Sequence, residues 1–234
     1  MSRTVFITGA SSGYGKAAAK RFKENGDTVI MAARNAEKLN SACAEIGGDL
    51  SIPMDVTDPA SWDKAVELIK EKYGRLDILV NNAGGGIAIK DTADQSVADI
   101  DAAIKLNLNS VIYGCRAFAG MMKEARAGTV VNISSVCARH CWPGWSVYAA
   151  AKAGVLNFSK GFYVEMQPYN VRVTCVVPAS ASTGFQSACG IGETNDTLQT
   201  EDVADTIFYV CGLPQRATVE DVTVWGIGQV VNPL

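Results

Sequence analysis

The sequence is short of histidine, of basic clusters, of long apolar runs and of paired cysteines. Each shortage closes off a class of function. His140 is the only histidine among 234 residues. Cys137 and Cys141 stand close to it, yet the three supply at most three ligands in no recognised spacing, so no metal is expected. Net charge is −3 and no basic stripe occurs, which argues against nucleic acid or an anionic membrane as partner. No apolar run reaches the about 20 residues that a membrane-spanning helix needs. The stretch Met1-Ser-Arg-Thr-Val-Phe-Ile7 runs straight into a strand pattern without a signal-peptide layout. A soluble, cytoplasmic protein is the expectation. The seven cysteines are scattered without paired spacing, and Cys175 and Cys211 lie in apolar runs. They read as reduced, buried thiols. No Pro/Gly/Ser-rich linker divides the chain, and 48% of it is hydrophobic. One domain over residues 1–234 is therefore expected.

What is present centres on Tyr148-Ala-Ala-Ala-Lys152. The three alanines are strong helix formers. On a helix, positions i and i+4 share a face, so a phenol is held beside an ammonium. A free phenol, with a pKa of about 10, is a poor base near neutrality. A cation within a few ångströms favours the phenolate. Such a tyrosine can take a proton from an alcohol or give one to a carbonyl.

Along the chain, strand patterns alternate with helix patterns. Thr4–Thr8 is an apolar, β-branched run closed by Gly9, and reads as a buried strand. Gly9-Ala-Ser-Ser-Gly13-Tyr-Gly15 follows, then a helix over Lys16–Asn25 stopped by Gly26. A Gly-rich turn between a strand and a helix N-terminus suits a phosphate, and Ser11 and Ser12 add hydroxyl donors. The second strand, Asp27–Ala33, ends at Arg34. In dinucleotide folds this end meets the adenosine ribose. No carboxylate precedes Glu37, and an arginine suits a 2′-phosphate, so NADP(H) is expected over NAD(H). Helix 37–46, strand 50–55 and a helix from Pro59 to Tyr73 come next, the last opened by Asp58-Pro59. Strand 76–80 ends in Asn81-Asn-Ala-Gly84. A long helical stretch, 99–124, carries Asn107 in its middle, where asparagine marks an irregularity or a buried polar role. A fifth strand from Gly128 ends in Ser134 and Ser135. Helix 147–167, strand 171–177 broken by Pro178, a mobile loop over 180–200, helix 201–212 and strand 218–224 complete the chain. This alternation predicts an α/β fold: a single doubly wound parallel sheet, Rossmann-like, with helices on both faces and right-handed crossovers. Gly9, Arg34, Asp55, Asn81, Ser135 and Pro178 all fall at C-terminal strand ends, where ligands bind in such sheets.

These motifs, in this order, resemble the short-chain dehydrogenase/reductase family in its compact single-domain branch. The resemblance spans nearly the whole chain. The family's T-G-x-x-x-G-x-G is matched by Thr8 to Gly15, its N-N-A-G by Asn81 to Gly84, its mid-helix asparagine by Asn107 and its Y-x-x-x-K by Tyr148 to Lys152. Its serine, thirteen residues before the tyrosine, falls on Ser135 rather than Ser134.

The resemblance implies roles. Tyr148 is the acid/base, Ser135 orients the substrate oxygen, Lys152 lowers the tyrosine pKa and bonds the nicotinamide ribose, and Asn107 holds a relay water. The implied cofactor contacts are Gly9, Ser11, Ser12, Gly13, Tyr14, Gly15, Arg34, Asp55, Val56, Asn81, Ala83, Gly84, Tyr148, Lys152, Pro178 and Thr183. Asp55 and Val56 face the adenine, and Thr183 the carboxamide. His140, Trp142 and Trp145 fall where the family's pocket wall lies and are candidates, with Ser135 and Tyr148, to touch substrate. Members assemble as dimers or tetramers through the helices bearing Asn107 and Tyr148. One departure stands out: Pro178-Ala179 replaces the family's Pro-Gly. The short stretch 180–200 suggests a small substrate or an open pocket.

The reaction so implied is NADP(H)-linked interconversion of a carbonyl and an alcohol on a small polar oxo-compound, hydroxy acid or aldehyde. A keto-acyl or hydroxysteroid substrate is the alternative within the family. A non-catalytic dinucleotide-binding regulator would show damage at Ser135, Tyr148 or Lys152, and all three are intact. A related lyase or epimerase would usually need an extension for which 234 residues leave no room.

Overall fold

The computed structural model describes residues 2–181, 183 and 198–229. Seven strands among them form one parallel sheet: β1 (Thr4–Thr8), β2 (Thr28–Ala33), β3 (Leu50–Pro53), β4 (Ile78–Asn81), β5 (Gly128–Ile133), β6 (Val171–Pro178) and β7 (Asp221–Val224). Their order is β3-β2-β1-β4-β5-β6-β7. The chain starts in the middle, winds outward to β3, then returns to β4 beside β1 and winds the other way. That reversal opens a crevice at the C-terminal ends of β1 and β4.

The strands are apolar on both sides because both sides are covered. All residues of β1, β4, β5 and β6 are buried. Helices α1 (Gly13–Glu24), α2 (Ala36–Ile46) and α7 (Thr200–Gly212) pack together on one face. On the other lie α3 (Pro59–Tyr73), α4 (Val97–Ile104), α5 (Ser110–Ala125) and α6 (Ser146–Met166). Phe6 of β1 meets Trp62 of α3 and Phe118 of α5 at centroid distances of 6.3 and 5.5 Å, while Phe22 of α1 meets Phe208 of α7 at 5.4 Å on the opposite face.

Three expectations shift. The helix read over 99–124 is two helices joined by a π-helical segment, Lys105–Asn109, centred on Asn107. The last strand begins at Asp221 rather than Thr218. Pro178 does not break β6 but ends it, paired with Val224. Proline is tolerated there because the ladder bond to β7 comes from the next residue, whose N–H reaches Val224 O at 2.9 Å. Most of the loop read over 180–200 lies outside the described residues.

Gly114 shows how tightly the second face is packed. A Cβ there would lie 2.3 Å from Asn81 Oδ1 and 2.6 Å from the Trp62 ring. Gly120, on the same helix, has nothing within 4 Å. Alanine in place of glycine gains up to about 1 kcal/mol of helix propensity, whereas overpacking costs about 1–3 kcal/mol. Gly114→Ala is therefore expected to lower the thermal unfolding midpoint and Gly120→Ala to raise it. Calorimetry of the two variants checks the opposite signs.

Candidate active site

The floor of the crevice is a clamp between β1 and β4. Thr8 is 1% exposed, and its Oγ1 accepts the N–H groups of Asn82 and Ala83, each at 3.1 Å. The Asn82 amide returns a bond to Thr8 O at 2.8 Å and a longer one to Gly9 O at 3.3 Å. Space for this amide comes from missing side chains: a Cβ at Gly15 would stand 2.5 Å from Asn82 Nδ2, and one at Gly9 2.8 Å. Gly9 and Gly13 also take φ of +65° and +53°, a region costly for other residues.

The clamp aims the start of α1 into the crevice. No side chain among the described residues caps this twelve-residue helix, and its first turn holds no carboxylate. Its first N–H groups and positive dipole end thus lie at the glycine turn without a side-chain cap. The residues present fit a dinucleotide's pyrophosphate. Ser11 is half-buried and Ser12 exposed beside it. At the end of β2, Arg34 is exposed, and no described carboxylate is paired with it. Asn35 caps α2 by accepting the Lys38 N–H. Asp55 and Val56 follow β3. The Asp55 carboxylate accepts the Thr57 N–H, and the Val56 carbonyl accepts the Trp62 indole N–H.

On the far side of the crevice the π-helical turn swings Asn107 inward, fully buried. Its Oδ1 accepts the Gly85 N–H at 3.0 Å, and its amide donates to Gly85 O and Ala103 O. One side chain thus pins the loop after β4. Lys152 reaches the same point from α6. A Cβ on Gly84 would lie 3.0 Å from Asn107 Oδ1 and 3.3 Å from Lys152 Nζ. Two polar side chains converge where glycine leaves room. Lys152 is 3% exposed and donates to Ile133 O at 3.0 Å. Burial lowers its ammonium from the usual range to about 8. It therefore remains mostly protonated at neutral pH. Its Nζ lies 5.7 Å from the centroid of the Tyr148 ring.

The two serines at the end of β5 separate. The Ser134 hydroxyl donates to Lys152 O at 2.8 Å, deep in the structure. Ser135 accepts the Cys137 N–H at 3.2 Å and starts a short turn, Val136–Ala138, that packs on α6. Cys137, Tyr148 and Ala149 form a small buried cluster against which Ile89, Trp142 and Trp145 lean. Trp145 meets the Tyr148 ring edge-on at 5.5 Å. His140 stands further out, between Trp142 at 6.2 Å and Trp225 at 5.7 Å. Among the described residues no three histidine, cysteine or acidic groups gather as metal ligands.

The structure thus places Tyr148, Lys152, Asn107 and Gly84 together, with Ser135 on the adjoining turn. It puts the glycine turn, Arg34 and Asp55 at the same sheet edge. Asn81 is different. Its side chain turns to the sheet face covered by α5, where its amide donates to Asn132 Oδ1 at 2.9 Å and Asn132 in turn donates to Ser159 Oγ. Only its backbone belongs to the crevice. Thr8 and Asn82 lie inside the glycine and N-N-A-G motifs, and the clamp between them has no signal in the sequence of its own. Ile89 and Trp225 carry no local signal, since both reach the site through loops.

A family model described as short chain dehydrogenase matches residues 3–193. Sulfoacetaldehyde reductase 2 of Chromohalobacter salexigens is 34% identical over 237 aligned positions, covering 96% of this chain and 94% of that one. Serine 3-dehydrogenase of Agrobacterium fabrum is 31% identical, covering 98% and 96%. A solved structure described as the closed form of serine dehydrogenase complexed with NADP+ superposes with a TM-score of 0.93 at 28% identity, over 99% of this chain and 98% of that one. Sequence match, sheet order and site geometry agree, and the chain belongs to the short-chain dehydrogenase family of oxidoreductases.

Proposed function

We propose that the protein interconverts a carbonyl and an alcohol with NADP(H), on a small polar substrate such as an aldehyde or hydroxy acid. The observation that carries this reading is the meeting of Lys152 and Asn107 at Gly84, with the Tyr148 ring 5.7 Å from the Lys152 ammonium, at the same sheet edge as the uncapped end of α1. A bound nicotinamide supplies or accepts the hydride. Tyr148 gives its phenolic proton to the substrate oxygen in reduction and takes one in oxidation. The Lys152 ammonium favours the phenolate that appears in between. Ser135 accepts from the Cys137 N–H, which leaves its own hydroxyl proton to donate to the substrate oxygen.

The substrate class draws support from two sides. Ile89, Trp142 and Trp145 crowd the Tyr148 cluster and favour a short substrate. Sulfoacetaldehyde and serine, named for two relatives, share a layout: the oxygen-bearing carbon is bonded to the carbon that carries the acid group. Short oxo- and hydroxy-acids of that layout are the class proposed.

Tyr148→Phe is expected to lower kcat by roughly 10²–10⁴-fold, the usual weight of a positioned acid/base group, with NADPH affinity little changed. Turnover of sulfoacetaldehyde and serine, followed by NADPH absorbance, checks it; full activity of the variant removes Tyr148 from the chemistry.

Cofactor choice rests on Arg34 and the lack of a nearby carboxylate. Arg34→Ala should raise KM for NADPH about 10- to 100-fold, the loss of one charge-assisted contact, and leave KM for NADH nearly unmoved. Parallel steady-state kinetics with both cofactors decide; equal shifts contradict the 2′-phosphate assignment.

Lys152 adds a pH signature. Its folded value of about 8 lies below the unfolded value of roughly 10.4. Between these the unfolded chain binds the extra proton, so stability from this residue rises with pH across the window. Below about pH 8 the penalty is fully present, on the order of 3 kcal/mol. Urea unfolding of the apoprotein from pH 7 to 10 should show the wild type gaining stability relative to Lys152→Met. A constant gap would mean that the ammonium is not desolvated.

A further inference from the structure

We infer that Tyr14 is a positioning residue: it latches the chain leaving β6 onto the glycine turn and so fixes the spacing between the two ends of a bound dinucleotide. The inference rests on the dinucleotide reading above and adds a role for a residue that the chemistry does not use.

Tyr14 is the second residue of α1, and its side chain is largely buried. Burial pushes its pKa up. Its hydroxyl donates to Ala179 O at 3.3 Å, across 165 residues of sequence. The same Ala179 donates its N–H to Val224 O of β7 at 2.9 Å. One residue is thus tied to α1 on one side and to the sheet on the other. The neighbouring Ser180 carbonyl accepts the Leu198 N–H at 3.2 Å and the Gln229 amide at 2.7 Å. Thr183 then comes back over the turn: a Cβ on Gly13 would lie 3.5 Å from Thr183 Cβ. Ala179 thus leaves the end of β6 while Thr183 stands over Gly13 in the glycine turn, and the Tyr14 hydroxyl is the bond that joins Ala179 directly to α1.

Ala179 fits this role. Among the described residues the positive-φ positions other than glycine are Ala88, Arg126 and Asn170. Nothing in the backbone at Ala179 calls for glycine. An alanine has fewer accessible torsions than the glycine common in the family, so its carbonyl is held in the direction the phenol needs. A tyrosine at the mouth of a phosphate site could instead donate to the phosphate. Here its donor is already engaged by a protein carbonyl. Tyr14 thus acts on the cofactor through Ala179 and the residues after it.

Tyr14→Phe removes the hydroxyl and keeps the ring. Two ligands are titrated by fluorescence on the intact protein: NADPH, and adenosine 2′,5′-bisphosphate, which lacks the nicotinamide half. The latch predicts roughly fivefold weaker NADPH binding, the weight of one net hydrogen bond, and unchanged binding of the bisphosphate. It also predicts a lower kcat with a larger isotope effect from C4-deuterated NADPH, because the nicotinamide is less well placed. Ala179→Gly, which frees the carbonyl while keeping the phenol, should move the same readouts in the same direction. Equal weakening of both ligands, or no change in either variant, overturns the inference. If the wild type binds NADH but neither phosphorylated ligand, the 2′-phosphate reading fails alone. The latch is then judged on NADH against AMP, by the same outcomes.

Discussion

An ammonium with almost no water around it has to be held by oxygen atoms, and much of the active-site architecture follows from where Lys152 finds them. It donates to Ile133 O, at the last residue of β5. The bond joins the middle of α6 to the end of the sheet. The Ser134 hydroxyl closes a second link by donating to Lys152 O. Helix α6 is thereby fixed in height against β5, and Tyr148, one turn earlier, is fixed with it. Gly84 and Asn107 close in from the other side. A lysine on a solvated helix would swing through many rotamers; here its long chain is buried and its head has a single direction. The resulting desolvation brings its pKa down to about 8, still high enough to remain a cation at neutral pH.

The crevice itself depends on a neutral device. Thr8 and Asn82 exchange bonds across β1 and β4, and the glycines at 9 and 15 exist to make room for the Asn82 amide. The glycine turn is thus shaped from behind, by the adjacent strand, as well as by its own torsions. Its rigidity explains how an uncapped helix end is tolerated. The free N–H groups of α1 lie at the surface of a cleft, where water or an anion can satisfy them. A third link, between Tyr14 and Ala179, joins this turn to the end of β6. β1, β4 and β6 are thereby tied together at their C-terminal ends.

Much of this was legible without coordinates, for reasons that differ by residue. Strand and helix positions follow from apolar runs punctuated by glycine and proline, and β1 and α3 match to the residue. Tyr148 and Lys152 are readable because a helix brings i and i+4 together whatever surrounds it. Asn107 is readable as a misfit, since an asparagine inside a long apolar helix requires a cause; the π-helical turn supplies it. Asn81 and Asn82 show the limit. They are neighbours of the same type in one motif, yet the first turns under α5 toward Asn132 and the second toward Thr8. Alternation along a strand decides this, but which face holds a partner depends on β5.

The sequence alone determined the alternation of strands and helices, the glycine turn before a helix, the absence of a carboxylate between β2 and Glu37 and the pairing of a phenol with an ammonium. Each is a local property, set by residues within one or two turns of each other. Tertiary structure decided the rest: that Ile133 O holds Lys152, that Gly15 is small for the sake of Asn82, that Tyr14 meets Ala179, and that Trp225 closes on His140. These contacts join atoms far apart in the chain. No propensity or period encodes them; they exist because the parallel sheet, reversing between β1 and β4, gathers its C-terminal strand ends at one edge.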